Sequence, residues 1–200
     1  MGLAAGKGNR SLDACFHLQG VYAIMCAKPI PPQHGDMKIA ILSDTHDHRD
    51  NLIAALKTLK RESIRTVIFC GDLTDAGLVP LMAGLEVHLV EGNVDSDRAA
   101  LRRAVERLGA GSTFGLEYAA TIEGKQVAVL HGHLTDRLIE TIHGGLHDYV
   151  FHGHTHRRRD ERIGRTRVVN PGALGGMHFQ TRSFAILDLA TDDLRVVEVE

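Results

Sequence analysis

Five times along this chain a short apolar run stops abruptly at a cluster of Asp, His, Asn and Gly. Lys38-Ile39-Ala40-Ile41-Leu42 leads into Ser43-Asp44-Thr45-His46, and Thr66-Val67-Ile68-Phe69-Cys70 into Gly71-Asp72-Leu73-Thr74-Asp75. Val87-His88-Leu89-Val90 precedes Gly92-Asn93-Val94-Asp95. The runs Gln126 to Leu130 and Tyr149 to Phe151 precede His131-Gly132-His133 and His152-Gly153-His154-Thr155-His156. Apolar runs of this length, bounded by Gly and Asp, read as buried strands. In an α/β sheet the carboxyl ends of the strands open onto the ligand crevice, so segments far apart in sequence converge on one place. Singly, each cluster is a capped loop with a solvated histidine; five of them, all at strand ends, are hard to reach by chance.

The intervening segments carry a helical period. Leu52, Ile53, Leu56 and Leu59 recur at helical spacing, with Asp50 and Asn51 placed to cap. A short helix is predicted around Leu78 to Ala83, and Asp97 is placed to cap a helix that turns Leu101, Ala104, Val105 and Leu108 inward. The first half thus reads β-α-β-α-β-α. The second half is richer in strands: Tyr118 to Ile122 and Gln126 to Leu130 flank the turn Glu123-Gly124-Lys125, and Tyr149 to Phe151, Arg167 to Val169, Phe184 to Leu187 and Arg195 to Val199 follow a helix near Leu138 to Ile142. Without repeats, this order describes one α/β domain with two sheets in its middle.

Composition narrows the function classes. With 23 Lys+Arg against 25 Asp+Glu, the net charge of -2 leaves no electrostatic footprint for a dedicated nucleic-acid surface. No uninterrupted apolar stretch reaches the roughly 18 residues of a spanning helix, so no membrane partner is expected. Cys15, Cys26 and Cys70 are an odd, unpatterned set, which argues against a disulfide framework and for a reducing, cytoplasmic setting. The thirteen histidines are the excess that needs explaining, because histidine is the commonest metal-ligand side chain. Residues 1–36 lack any period and end in the Pro cluster Lys28-Pro29-Ile30-Pro31-Pro32, so they are expected to be an N-terminal extension, disordered or not native, with residues 37–200 forming the domain.

The ordered blocks Asp44-x-His46, Gly71-Asp72-x-x-Asp75, Gly92-Asn93-x-Asp95, His131-Gly132 and Gly153-His154-x-His156 resemble the calcineurin-like metallophosphoesterase superfamily, and within it the small single-domain phosphodiesterases of the YfcE type. The resemblance runs from about Met37 to near the C-terminus. It implies a four-layer α/β/β/α sandwich, two mixed β-sheets flanked by helices, and two divalent metal ions per chain. By position, Asp44, His46 and His156 would hold the first ion, Asn93, His131 and His154 the second, and Asp72 would bridge them. Asn170-Pro171-Gly172 matches a turn that these proteins carry near the site. A mixed nitrogen and oxygen donor set suits a borderline first-row ion: manganese first, with nickel, zinc, iron or magnesium as alternatives. Two such ions about 3.5–4 Å apart clamp a phosphate and activate a hydroxide lodged between them, so no Ser or Cys nucleophile is needed.

Many superfamily members place a His directly after the Asn of the Gly-Asn block to protonate the leaving group; here that position is Val94. The small phosphodiesterase branch tends to lack this His as well. Asn93 and His133 are the remaining candidates for a catalytic role, with His133 either an acid on the substrate side or a partner of a ligand. Cys70 reads as core. Arg157, Arg158, Arg159, Arg162, Arg165 and Arg167, interrupted by Asp160 and Glu161, read as a solvated hairpin rather than a phosphate patch. His48 is a candidate lining residue, His152 closes its strand, and His143, His147 and His178 carry no positional argument. The resulting expectation is a dinuclear phosphoesterase, more a diesterase than a monoesterase, acting on a small phosphorylated substrate of nucleotide-like or aryl character. The alternative is a non-catalytic scaffold of the same fold that binds protein partners; such scaffolds lose ligands, whereas all seven positions here are filled. The oligomeric state, homo-oligomer included, is left open.

Overall fold

A computed structural model describes residues 38–176 and 181–199. The expectations for residues 1–36, for a domain start at Met37 and for His178 lie outside the described residues. Eleven strands form two sheets: β1 (Lys38–Leu42), β2 (Thr66–Phe69), β3 (Glu86–Val90), β4 (Thr113–Gly115), β5 (Glu117–Ile122), β6 (Lys125–Leu130), β7 (Tyr149–Phe151), β8 (Arg159–Ile163), β9 (Thr166–Asn170), β10 (Ser183–Asp188) and β11 (Asp193–Glu198). The six-stranded sheet has the order β11-β10-β1-β2-β3-β4, parallel from β1 to β4 and antiparallel at β10 and β11. The five-stranded sheet has the order β5-β6-β7-β9-β8, parallel at β6, β7 and β9 and antiparallel at its two edges.

Strands covered on both faces read as continuous apolar runs rather than alternating ones, which is what the central strands of both sheets show. Ala40, Leu42, Val67, Phe69, Val87 and Leu89 pack against α1 (Arg49–Arg61), α2 (Arg98–Leu108) and a 3₁₀ segment (Ala76–Met82). The alternate residues Ile39, Ile41, Ile68, Cys70 and Val90 meet Val127, Val129, Tyr149, Phe151 and Val169 of the second sheet. On its outer face Ala128, Leu130, Val150 and Val168 receive Leu138 and Ile142 of α3 (Thr135–His143). The layers are therefore α/β/β/α. Cys70 sits wholly buried between the sheets, and that burial pushes its thiol well above its ordinary pKa.

Several local expectations need correction. Neither Asp50 nor Asn51 caps α1: His48 holds the N-cap position without a side-chain bond, Asp50 lies in the first turn, and the Asn51 amide donates to Leu174 O on a distant loop. The segment expected as a helix from Leu78 to Ala83 is the 3₁₀ turn, whose entry is fixed by Asp75 accepting from Gly77 N. Asp97 does cap α2, accepting from Ala100 N at 2.9 Å. At the start of α3 the N-cap is Leu134, which supplies no side-chain bond; Ser, Thr, Asp or Asn there is worth about 1 kcal/mol more than an apolar residue.

Candidate metal centre

The loops after β1, β2, β3, β6 and β7 all open on one edge of the sandwich, and inter-loop backbone bonds lock them together. Asp44 N donates to Gly71 O at 3.0 Å, His46 N to Asp72 O at 3.1 Å, and Gly153 N to His131 O at 2.9 Å. The turns are tight: Asp44, His46, Asp47, Asp72, Thr74, His154 and His156 all have φ between 44° and 68°. That left-handed region costs a non-glycine residue of the order of 1 kcal/mol or more, and such strain gathers where function fixes a side chain's aim. Gly92 and Gly153 are required by proximity instead, since a Cβ at Gly92 would collide with Asp72, and one at Gly153 with Ser43 and Asp44.

Six of the seven expected ligands meet through their side-chain donor atoms. Asp44, His46 and His156 form one convergent group; Asp44, Asp72 and His131 form a second that shares Asp44. Asp44 Oδ1 lies 3.2 Å from His156 Nε2 and 3.8 Å from His46 Nε2, and the two Nε2 atoms are 3.1 Å apart. Asp72 Oδ2 lies 3.2 Å from His131 Nε2 and 3.7 Å from His46 Nε2, so it faces both groups. Asn93 Oδ1 is 3.0 Å from His131 Nε2. His154 is exposed; its ring lies 5.1 Å from that of His131, and its backbone N–H donates to Asp44 Oδ2.

Residues that no periodicity singled out hold this set in place. The Asp95 carboxylate, 2% exposed, accepts from Gly92 N at 2.7 Å and Asp72 N at 3.1 Å through Oδ2, and from Thr74 N at 2.8 Å through Oδ1. It ties the Asp72 loop to the Asn93 loop; the motif contained Asp95, but nothing in the sequence assigned it this task. Ser43 Oγ donates to Asp44 Oδ2 at 2.6 Å. Asn170 donates to Gly153 O at 2.8 Å and accepts from Gly172 N at 3.0 Å, which anchors the expected turn beside the His154 loop. Arg182, 8% exposed, donates to the carbonyls of Gly175 and Gly176, where a Cβ on Gly176 would press on His46 and His156.

Electrostatics follow from this crowding. For Asp72, burial alone would raise the pKa, but the hydrogen bond and charge of His131, the Val94 N–H and His46 outweigh it and lower it. For His131 burial acts to lower the pKa and is outweighed by Asp72, Asp44 and the Cys70 carbonyl, so it is raised. His133 and His154 are lowered by burial first and by the charge of His131 next. His133 is half-buried, with its ring 5.4 Å from that of His131 and its Nδ1 without a partner. His152 is buried at the end of β7 and depressed to about 4 by that burial. His48 is exposed at the start of α1, and His143 and His147 lie on and after α3, away from the donor groups. Of the arginine stretch, Arg159 to Arg167 form the β8-β9 hairpin, in which Arg167 pairs with Asp160 at 2.7 Å and Arg165 with Asp148 at 2.7 Å, whereas Arg158 lies ahead of it and pairs with Glu198 at 2.9 Å.

The donor set fits a metal ion on its own chemistry. Asp44 Oδ1 is buried and accepts no hydrogen bond, although Oδ2 of the same carboxylate accepts two. A buried carboxylate oxygen that accepts no hydrogen bond, with imidazole nitrogens converging on it, suits a cation. His131 Nδ1 faces Cys70 O at 2.7 Å, a carbonyl that only accepts, so Nδ1 carries a proton and Nε2, which faces Asp72 and Asn93, is the nitrogen that would ligate a metal once it gives up its own proton.

Comparison with known proteins agrees with this geometry. The family model of the calcineurin-like phosphoesterase superfamily domain matches residues 37–192. A curated phosphodiesterase of Methanocaldococcus jannaschii is 31% identical over 166 residues, covering 82% of this chain and all of that protein. A solved archaeal phosphodiesterase superposes with a TM-score of 0.75 at 30% identity, covering 81% of this chain and 99% of its own. Two more distant structures share the fold, each at 18% identity and a TM-score of 0.58: Escherichia coli YfcE, covering 82% of this chain and 100% of its own, and zinc-complexed Vps29 of Entamoeba histolytica, covering 81% and 98%. Among the described residues no helix is long and apolar enough to cross a membrane. With strand-end donors in the expected order, a four-layer sandwich behind them and a family model spanning the whole described sandwich up to the last hairpin, this chain belongs to the calcineurin-like phosphoesterase superfamily and, with it, to the hydrolases that act on phosphoric esters.

Proposed function

We propose that the protein is a dinuclear metal-dependent phosphodiesterase that hydrolyses small nucleotide-like or aryl phosphate esters. The observation that carries this reading is the pair of donor groups sharing Asp44, with Asp72 facing both. Asp44, His46 and His156 would hold one ion, Asn93, His131 and His154 the other, and Asp72 would serve both; manganese in a cytoplasmic setting suits the donors best. Two divalent ions supply Lewis acidity, polarising the phosphoryl oxygens and lowering the pKa of water.

The chain's own part is to aim and to exclude. Cys70 O fixes the His131 tautomer, Ser43 and the His154 N–H hold Asp44 so that Oδ1 faces inward, and Asp95 sets the spacing of Asp72 and Asn93. Positioning of this kind lets the substrate phosphate meet pre-aimed donors rather than reorganise them. Val94 offers no proton, so the leaving oxygen departs unassisted at that position. A scaffold role is disfavoured because all seven donor positions carry side chains able to ligate. The test is Asp72→Asn assayed with a panel of diesters, monoesters and cyclic nucleotides under each divalent metal. Turnover is expected to fall by at least about 10³-fold together with loss of stoichiometric metal binding. Two ions per chain with ordinary activity in that variant would refute the assignment.

A further inference from the structure

Large apolar side chains stand exposed among the described residues at Val94, Leu116, Leu134, Ile139, Leu146 and Val196. Half of these adjoin the donor cluster on one side. Val94 follows Asn93 and Leu134 follows His133, while Leu116 lines a concave patch together with His131, His133, Leu134 and Arg137. The other side of the mouth is different: Asp47 and His48 after His46, and Arg157 after His156, are polar and exposed.

Leu134 has no explanation in folding. It occupies the N-cap of α3, where a Ser or Asp would bond the first turn, and its side chain is 46% exposed, so it forgoes both a cap and the gain from burial. Beside it, His133 presents a half-buried ring. Arg137 is held by Glu117 through two bonds of 2.7 and 2.8 Å, which neutralises the charge at the rim of the patch. Two exposed leucines, an imidazole face and a neutralised rim make a surface suited to a flat, weakly charged ring.

We infer that Leu116, His133 and Leu134 form a subsite for an aromatic ester group of the substrate, a nucleobase or an aryl ring, beside the Asn93–His131 half of the centre. The inference rests on the phosphodiesterase reading above. The leucines exclude water from the faces of the ring, and the half-buried His133 imidazole adds a flat contact beside them.

The experiment compares phenyl 4-nitrophenyl phosphate with methyl 4-nitrophenyl phosphate, which release the same leaving group and differ only in the retained ester. The phenyl-to-methyl ratio of kcat/KM is expected to fall at least about fivefold, through KM, in Leu116→Ser and in Leu134→Ser, and to stay as in wild type in the control Ile139→Ser on the outer surface of α3. Leu134→Ser, gaining a cap, should melt no lower than wild type, which separates a lost contact from a damaged fold. An unchanged ratio in both leucine variants, or an equal fall in Ile139→Ser, overturns the subsite while leaving the phosphodiesterase reading intact. Failure of the metal-loaded wild type to cleave either ester overturns that reading, and the subsite with it.

Discussion

Replacing Asp95 by Ala should damage the centre without touching a single donor atom. The substitution strips three backbone N–H groups, those of Gly92, Asp72 and Thr74, of a buried carboxylate acceptor at 2.7, 3.1 and 2.8 Å. Hydrogen bonds to a charged group are worth about 1.5–3 kcal/mol each, and an orphaned buried donor forfeits its hydration as well. Thr74 is only partly buried, so water can take over part of its loss, and an overall cost of about 3–5 kcal/mol is expected. Set against the ~5–15 kcal/mol that holds a typical domain together, that is a large fraction, and for a domain of this size it lowers Tm by about 10 °C. Asp95→Asn keeps one acceptor oxygen but turns an NH₂ toward a backbone N–H, so it should cost about half as much. Urea unfolding of the metal-free protein followed by circular dichroism measures the stability, and a metal titration of the folded variant measures the site. If Asp95→Ala unfolds within about 1 kcal/mol of wild type, or binds metal as tightly, then Asp95 does not set the spacing of the two loops.

Two further expectations concern proton supply and pH. Because Val94 cannot donate a proton and a positioned acid contributes about 10²–10⁴-fold, rates across a leaving-group series should fall steeply with rising leaving-group pKa, and Val94→His should flatten that slope; a flat slope in wild type that survives His133→Ala would show that a dedicated acid exists elsewhere. The folded pKa of His152, about 4, lies below its unfolded value near 6.5, so the unfolded chain takes up a proton that the folded chain refuses. Its contribution is therefore intact above pH 6.5 and is lost as pH falls toward 4, by up to about 3 kcal/mol. Unfolding of the metal-free protein and of His152→Leu at pH 7 and pH 4.5 should show the smaller drop in the variant, and parallel drops would refute the assignment.

What the sequence discloses and what it conceals divide along physical lines. The central strands are legible because burial on both faces writes them as unbroken apolar runs, and the donors are legible because they follow those runs directly. β4 escapes notice because it is only Thr113–Gly115 at a sheet edge. β8 escapes for a different reason: Arg-Asp-Glu-Arg-Ile has no apolar pattern, and cross-strand charges such as Arg167 with Asp160 hold it to β9. Asn51 shows how a capping residue type misleads, since its amide is spent on Leu174 O at a separation of 123 residues. Asp95 acts on backbone N–H groups more than twenty residues away and Arg182 on carbonyls a short loop back, and neither contact leaves a periodic trace in a single chain.

The donors divide between the layers: Asp44, His46, Asp72 and Asn93 follow strands of the six-stranded sheet, whereas His131, His154 and His156 follow strands of the five-stranded one. Elsewhere the two sheets meet through side chains such as Ile41, Ile68, Val129 and Phe151, whose attraction has no direction and resists sliding only weakly. Ligation at the strand ends would act as a rivet through the laminate, converting a slippery apolar seam into one pinned at its edge. Its binding free energy then adds to the folded state by mass action. Stripping the metals would therefore loosen more than the loops: amide exchange should quicken along β1 and β7, deep in the seam, because the plates would be free to shear.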